Sequence, residues 1–262
     1  MGDGVRRSIN GVVLALVAVS TVMQVVALVV RSDAIAGGTT GRQVFSTVEM
    51  LLVVLLAWQG WRIIGWARAM GRGVLVERTA VWCFVSLVLC ALGDLVNRNY
   101  LRQYFQWDGV IRHSYLITAI WFFLPGYAVI VGVNRMVTRS AVSRRFAVVT
   151  AVVAAALGAI AFAADHVAGM GRYPATMIPL YSMVLAVLAG STIWLVKTFG
   201  WRPSAVVVIG CLLAPVADAL IGKFWIASDH FPTIEHANWI IYFASLAMIQ
   251  QLTFLVADAA DS

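Results

Sequence analysis

Two aspartates stand at the ends of long apolar segments, where a carboxyl group could transfer a proton. Asp94 follows the run "VSLVLCALG" (residues 85–93), and Asp218 follows "VVIGCLLAPVA" (residues 207–217). A charged side chain inside a bilayer costs roughly 2.5–3.5 kcal/mol on insertion scales, so such groups usually face the protein interior and serve a function. Where two carboxyl groups lie close together in such a medium, one of them keeps its proton near neutral pH. The pair is therefore a candidate for general acid–base chemistry.

The composition predicts that both aspartates belong to a membrane protein. Of the 262 residues, 61% are hydrophobic and 12% are charged, and the mean hydropathy is +0.88. A single soluble core could not enclose so much apolar side chain. Apolar runs long enough to cross a bilayer lie at about residues 11–30, 44–64, 79–97, 115–134, 146–164, 176–196, 204–221 and 237–257. The sequence therefore predicts an all-α integral membrane protein with eight transmembrane helices in one domain, residues 1–262.

The basic residues predict the orientation of the chain. The net charge is +7, but the lysines and arginines occupy short loops between apolar runs, which argues against a nucleic-acid partner. If the N-terminus is cytoplasmic, the cytoplasmic segments hold 12 of the 19 lysines and arginines. Because positive charge favours the cytoplasmic side, we expect both termini in the cytoplasm, in a bacterial-type plasma membrane.

An internal repeat relates the two aspartates. Each is followed by an aromatic residue, a histidine and a second aromatic residue at similar spacings: Tyr100, His113 and Tyr115 after Asp94, and Phe224, His236 and Trp239 after Asp218. The halves would cover about residues 1–140 and 141–262. Four helices in each half predict two parallel four-helix repeats related by an axis along the membrane normal. Both acids are then expected at the same depth in the membrane.

Further polar and aromatic residues are expected in the same outer half of the bilayer. Glu49 either supports the site or pairs with Arg42 as a structural acid, and the histidines either support the site or cap loops. The aromatic residues either line a pocket or belong to an interfacial belt. The candidates for supporting or substrate-binding roles are Glu49, His113, Tyr115, Tyr181, His236, Trp239 and Tyr242.

The sequence indicates no metal and no cofactor. Its three cysteines, Cys83, Cys90 and Cys211, lie inside apolar runs and lack the paired spacing of metal ligands. No Ser-His-acid or Cys-His set has a convincing placement either. The acids are therefore expected to act without metal or nucleophilic catalysis.

Several of these residues together resemble a known family. Gly93-Asp94 ends one span and His113-x-Tyr115 begins the next, Tyr181 lies in "LYSMVLAVLAG", and Ala217-Asp218 precedes "WIIYFASLAMIQQL". This arrangement resembles the YhhN-like lysoplasmalogenases from the third span onward. The resemblance implies eight spans, a catalytic pair formed by Asp94 and Asp218, and hydrolysis of the vinyl ether bond of a lysoplasmalogen-like lysophospholipid.

Two other functions remain open on the sequence. An integral-membrane terpene cyclase would use similar acids and aromatic rings to protonate an isoprenoid alkene or epoxide. A small proton-coupled transporter would also contain acids within its spans and parallel repeats. The expected partner is accordingly a lipid or isoprenoid substrate in the membrane, or a transported solute.

Overall fold

The computed structural model of the protein describes residues 2–30, 39–71, 73–99, 114–164, 171–223 and 234–260. In these ranges the chain forms helices and no β-strand. The helices are α1 (Gly2–Val30), α2 (Thr39–Met70), α3 (Val74–Asn97), α4 (Ser114–Thr138), α5 (Arg144–Ala164), α6 (Arg172–Phe199), α7 (Trp201–Ile221), α8 (Glu235–Ile249) and α9 (Leu252–Ala260).

Within the described ranges, eight helical segments are long and apolar enough to cross a membrane. The eighth consists of α8 and α9, which are separated by a turn at Gln250 and Gln251. The prediction of an all-α chain with eight such helices is confirmed. Several helices extend beyond the predicted apolar runs, and α1 already starts at Gly2. Polar residues can continue a helix past the hydrocarbon layer, because only the part inside that layer must be apolar.

The helices pack mainly on their neighbours in the chain. The contacts of α8 with α1 and of α9 with α3 join the two ends of the chain and close the bundle. α1 packs on α2 and α8, α4 packs on α6, and α9 reaches both α3 and α7, while α5 lies against α6. Gln250 Nε2 donates a hydrogen bond of 3.1 Å to the carbonyl oxygen of Cys83. α8 and α9 thereby lie beside α3, which brings the end of the chain against the helix that carries Asp94.

Small residues allow close helix contact, as is usual in membrane bundles. A Cβ atom at Gly210 of α7 would lie 2.7 Å from the Cβ of Met248 and 3.0 Å from the backbone nitrogen of Ile249. A Cβ atom at Gly158 of α5 would lie 2.6 Å from the carbonyl oxygen of Ser182 on α6. Glycine at these two positions therefore determines how closely α7 approaches the last span and α5 approaches α6.

Both ends of the chain lie at one end of the bundle. The guanidinium of Arg6 donates two hydrogen bonds to the carboxylate of Asp258, at 2.5 and 2.7 Å. The same guanidinium lies 4.8 Å from the centre of the Phe254 ring. An even number of crossings requires both termini on the same side, so this contact agrees with eight spans. The arrangement of the two halves as symmetric repeats remains a prediction.

Candidate functional site

A cavity of about 60 Å³ lies between α2, α3, α4, α7 and α8, toward the end of the bundle opposite to the termini. Residues from all five helices line it: Glu49, Asp94, Asn97, Arg98, Phe123, Asp218, Ile221, Glu235, Asn238, Trp239 and Tyr242. The structure thus places both predicted aspartates on the same cavity. The volume is enough for a few water molecules but not for a lipid chain.

Asp94 lies in the last turn of α3 and is 3% exposed. The hydroxyl of Tyr242 on α8 donates a hydrogen bond of 2.7 Å to its Oδ2. α3 ends just beyond it, because Asn99 adopts a left-handed conformation with φ of 46°, which asparagine tolerates better than most residues. The backbone N–H of Arg98 donates to the carbonyl oxygen of Asp94 at 3.0 Å. The backbone of Arg98 therefore continues the helical hydrogen bonding of α3. Arg98 lies one turn after Asp94, on the same face of this helix.

Asp218 lies in the last turn of α7 and has different surroundings. Its Oδ2 has almost no accessible surface and no hydrogen-bond partner in the described part of the chain, although the residue as a whole is partly exposed. The phenols of Tyr127 and Tyr181 lie near this carboxyl group, but neither hydroxyl completes a hydrogen bond of ordinary geometry. The two rings are stacked, with centres 6.3 Å apart. No ion pair to Asp218 forms among the described residues.

Glu49 is 2% exposed and forms an ion pair with Arg98. Its second contact is a hydrogen bond of 2.6 Å from Gln24 Nε2 on α1 to its Oε1. The sequence left open whether Glu49 pairs with Arg42, whose side chain lies outside the described residues. The structure gives Glu49 a partner from α3, and this ion pair joins α2 to the cavity. The guanidinium of Arg98 also lies 4.5 Å from the centre of the Trp239 ring, in the geometry of a cation–π contact.

α1 is connected to the site through two residues of α8. His236 Nδ1 and Gln24 Oε1 are 2.6 Å apart, so His236 carries its proton on Nδ1 if Gln24 is oriented to donate to Glu49. Trp239 Nε1 donates a hydrogen bond of 3.1 Å to Ser20 Oγ. His236 is thus linked to Glu49 through the amide of Gln24 and does not touch either aspartate in a described contact.

The structure brings together most, but not all, of the residues proposed from sequence. Glu49, Asp94, Asp218, Trp239 and Tyr242 line one cavity. Tyr181 lies next to Asp218 and His236 joins through Gln24, as described above. His113 lies outside the described residues. Tyr115 belongs to the first turn of α4, but its side chain also lies outside the described part of the chain.

Sequence reasoning missed Arg98, Asn97, Asn238, Gln24 and Tyr127. A signal existed for Arg98, since it follows Asp94 by four residues and that spacing places two side chains on one helix face. Gln24 interrupts an otherwise apolar run, which is itself unusual for a membrane-spanning helix. Asn97 gave a similar signal, since it follows Asp94 by three residues. Asn238 and Tyr127 gave none, because their relation to the acids depends on how α3, α4, α7 and α8 pack together.

The charges around the cavity are unbalanced if every group is ionised. Four carboxyl groups line it, those of Glu49, Asp94, Asp218 and Glu235, against the single guanidinium of Arg98. Like charges that line one small cavity in a medium of low dielectric constant repel each other strongly. The cavity is therefore suited to hold a proton. Among the described residues, no cluster of three or more histidine, cysteine or acidic side chains could hold a metal ion.

The fold and the cavity define an all-helical protein that has eight helical segments compatible with a membrane and an acid-lined cavity. Comparisons of the chain with protein-family models, with curated proteins and with solved structures find no match. The resemblance to the lysoplasmalogenases therefore stays a prediction from the motif residues.

Proposed function

We propose that the protein is an intramembrane acid–base hydrolase that cleaves the vinyl ether bond of a lysoplasmalogen-like lysophospholipid. The observation that supports this proposal is the position of Asp94 and Asp218 on one cavity, in unequal surroundings. Vinyl ether hydrolysis requires a proton donor for a carbon atom and an acceptor for a proton of water. Two carboxyl groups in different protonation states can fill these two roles without a metal.

In this proposal Asp218 is the donor and Asp94 the acceptor. Asp94 has the guanidinium of Arg98 one turn away and accepts a hydrogen bond from Tyr242, and both neighbours favour a carboxylate. Asp218 has neither a cation in contact nor a completed hydrogen bond to Oδ2 within the described part of the chain. Phenols such as Tyr127 and Tyr181 can accept a hydrogen bond from a neutral carboxyl as well as donate one to a carboxylate. The neutral acid therefore fits the surroundings of Asp218.

The reaction then follows in two proton transfers. Asp218 protonates the alkene carbon remote from the ether oxygen, and the π electron pair of the double bond forms the new C–H bond. A lone pair of the ether oxygen then stabilises the neighbouring carbon as an oxocarbenium ion. Water attacks the cationic carbon while Asp94 accepts its proton, which gives a hemiacetal. Collapse of the hemiacetal breaks the bond between its central carbon and the glycerol oxygen, while the hydroxyl proton is transferred to that oxygen. The products are an aldehyde and the alcohol of the glycerophospho-base. Return of the proton from Asp94 to Asp218 restores the starting state.

Aromatic rings support the cationic intermediate in this proposal. Phe123, Trp239 and Tyr242 line the cavity, and the rings of Phe123 and Tyr242 meet edge to face with centres 6.1 Å apart. The face of an aromatic ring attracts a positive charge. The same rings are also compatible with a second candidate function. A membrane terpene cyclase would use them to stabilise a carbocation. A cyclase must keep water away from its cation, whereas this cavity has several polar groups without a partner, and for that reason we favour hydrolysis.

We further propose that the eight helices cross a bacterial-type plasma membrane with both termini in the cytoplasm, and that two parallel repeats place the acids at the same depth. The bias of lysine and arginine toward the cytoplasmic segments supports the orientation. The contact between Arg6 and Asp258 supports a shared side for both termini. The acid cavity would then lie in the outer half of the bilayer, where a lysophospholipid of the outer leaflet could reach it.

Product analysis tests the proposed function. Purified protein in detergent micelles is incubated with a lysoplasmalogen, and the long-chain aldehyde is measured by mass spectrometry. The matched control substrate is the lysophospholipid with a saturated alkyl ether, which has no double bond to protonate. We expect aldehyde from the vinyl ether alone. Absence of aldehyde would contradict the proposal. A cyclised product from an isoprenoid epoxide would favour the terpene cyclase. Proton-coupled uptake of a solute by proteoliposomes would favour the transporter.

A further inference from the structure

Four polar atoms without a partner converge on the acid cavity. Oδ1 of Asn97, Nε of Arg98, Oδ2 of Asp218 and Oδ1 of Asn238 are all buried and have no hydrogen bond of ordinary geometry among the described residues, and all four residues line the cavity. A buried polar atom without a partner costs about 1–3 kcal/mol. Such atoms are uncommon in folded proteins, and several around one cavity indicate that a polar ligand binds there.

The size of the cavity limits this ligand to small molecules. About 60 Å³ is several times the space of roughly 10–15 Å³ that one water requires. Buried waters typically form about three hydrogen bonds with polar groups that otherwise lack a partner. Three of the four atoms are acceptors and one is a donor, and water can satisfy both kinds because it donates two hydrogen bonds and accepts two.

We infer that this cavity is a water site in which Asn97 and Asn238 hold the nucleophilic water beside Asp94. This inference rests on the proposed function for the role of the water, but not for its presence. The two amides come from α3 and α8, the helices that also supply Asp94 and its partner Tyr242. A water that donates to an amide oxygen and to the carboxylate of Asp94 presents a lone pair to the cavity, where the cationic carbon forms.

The chemistry balances in this arrangement. The water oxygen forms a bond to the oxocarbenium carbon, using one of its lone pairs, and one O–H bond breaks as the proton passes to Asp94. Neither amide gains or loses a proton, so the asparagines are positioning residues. Replacing either by leucine keeps the number and branching of the side-chain heavy atoms but removes the groups that orient the water.

The presence of the water can be measured without any substrate. Brief X-ray irradiation in water generates hydroxyl radicals from bound waters, which oxidise adjacent side chains, and the products are quantified by mass spectrometry. We expect the buried rings of Trp239 and Tyr242 to be labelled in the wild-type protein and labelled several-fold less in Asn238→Leu and Asn97→Leu. The control is Asn134→Leu, because Asn134 is also fully buried with Oδ1 lacking a partner but does not line this cavity. Equal labelling in the wild type and in both cavity variants would overturn the water site.

The role of the water is tested by competition with methanol. Methanol captures the oxocarbenium ion as an acetal, so the ratio of acetal to aldehyde reports how well water is positioned. We expect Asn97→Leu and Asn238→Leu to lower aldehyde release roughly 10- to 100-fold and to raise the share of acetal, with Asn134→Leu retaining the wild-type ratio. An unchanged ratio in both cavity variants, with size-exclusion profiles like the wild type, would overturn the role of the asparagines.

The two experiments separate the two proposals. If the wild-type protein releases no aldehyde but its cavity rings are labelled through bound water, the proposed function fails and the water site stands. If aldehyde is released while the rings of the wild-type protein remain unlabelled, the function stands and the water site fails.

Discussion

At the scale of residues, the central feature is that Asp94 and Asp218 have different side chains around their carboxyl groups. Asp94 accepts a hydrogen bond from Tyr242 and lies next to the ion pair between Arg98 and Glu49. Asp218 faces phenols and has an oxygen without a partner. Enzymes separate the roles of two carboxyl groups by giving them different surroundings, and the same difference is found here.

The first prediction concerns the aspartates as a unit. Asp94→Asn and Asp218→Asn preserve the side-chain shape but remove proton transfer, so each should reduce aldehyde release by roughly 10²- to 10⁴-fold, the usual range for an acid–base group. Residues that act as a unit are strongly non-additive, so the double variant should be scarcely slower than either single variant. Steady-state rates of all three, with size-exclusion profiles as a control for folding, check this. Full activity in either single variant would end the acid-pair hypothesis.

The second prediction concerns the ion pair between Glu49 and Arg98. Removing one partner of a buried pair leaves an uncompensated charge and typically costs about 3–5 kcal/mol, whereas replacing both by apolar residues is often close to neutral. Glu49→Leu and Arg98→Leu should therefore each lower the thermal unfolding temperature in detergent more than the double variant does. A double variant whose loss equals the sum of the two single losses would show that the pair is not energetically coupled.

At the scale of elements, the site depends on how closely α7 and the last span approach each other. Gly210 lies two turns before Asp218 on α7 and contacts Met248 and Ile249, while α8 supplies Tyr242 and Asn238. Any shift between these helices changes the position of Asp218 relative to Tyr242 and Asn238. Close helix contact through small residues is therefore what holds the two halves of the cavity together.

The third prediction tests this contact with two alanine substitutions. Gly210→Ala introduces a Cβ atom 2.7 Å from that of Met248, so the helices must move apart, at a cost of about 1–3 kcal/mol for overpacking. Gly132→Ala is the matched control, because a Cβ atom there meets nothing within 4 Å. We expect a lower unfolding temperature and reduced aldehyde release for Gly210→Ala only. Equal behaviour of the two variants would show that the contact at Gly210 is not tight in the membrane.

At the scale of the whole molecule, the structure has two distinct ends. One carries Arg6 and Asp258, and the other carries the acid cavity. The proposed orientation places the first end in the cytoplasm, because the cytoplasmic segments would hold most of the lysines and arginines. A substrate from the outer leaflet would then meet the acids without crossing the membrane.

The fourth prediction tests this orientation. Single cysteines are introduced at Gly4 and Ala260 in a background without Cys83, Cys90 and Cys211. In sealed right-side-out vesicles both should be protected from a membrane-impermeant thiol reagent, and both should react after the vesicles are permeabilised. Labelling of either position in sealed vesicles would contradict the cytoplasmic placement of the termini.

The number and type of the helices could be predicted from sequence alone. Apolar runs of about 20 residues have few alternatives to membrane-spanning helices, because a backbone in hydrocarbon must satisfy its own hydrogen bonds. Asp94 and Asp218 could be selected for the same reason, since a charge in such a run is costly enough to need an explanation. These conclusions depend on local composition, which does not change when the chain folds.

Only the tertiary structure decided what surrounds each acid. Arg98, Gln24 and Asn238 come from three different helices, and their contacts depend on the rotation and spacing of those helices. The rotation of each helix about its axis results from many small packing contacts, such as that of Gly210 with Met248. No pattern of residues along the chain predicts their combined effect. The sequence therefore determined that acids lie within the spans, and the packing determined that Asp94 has a cation and a phenol beside it while Asp218 does not have the cation.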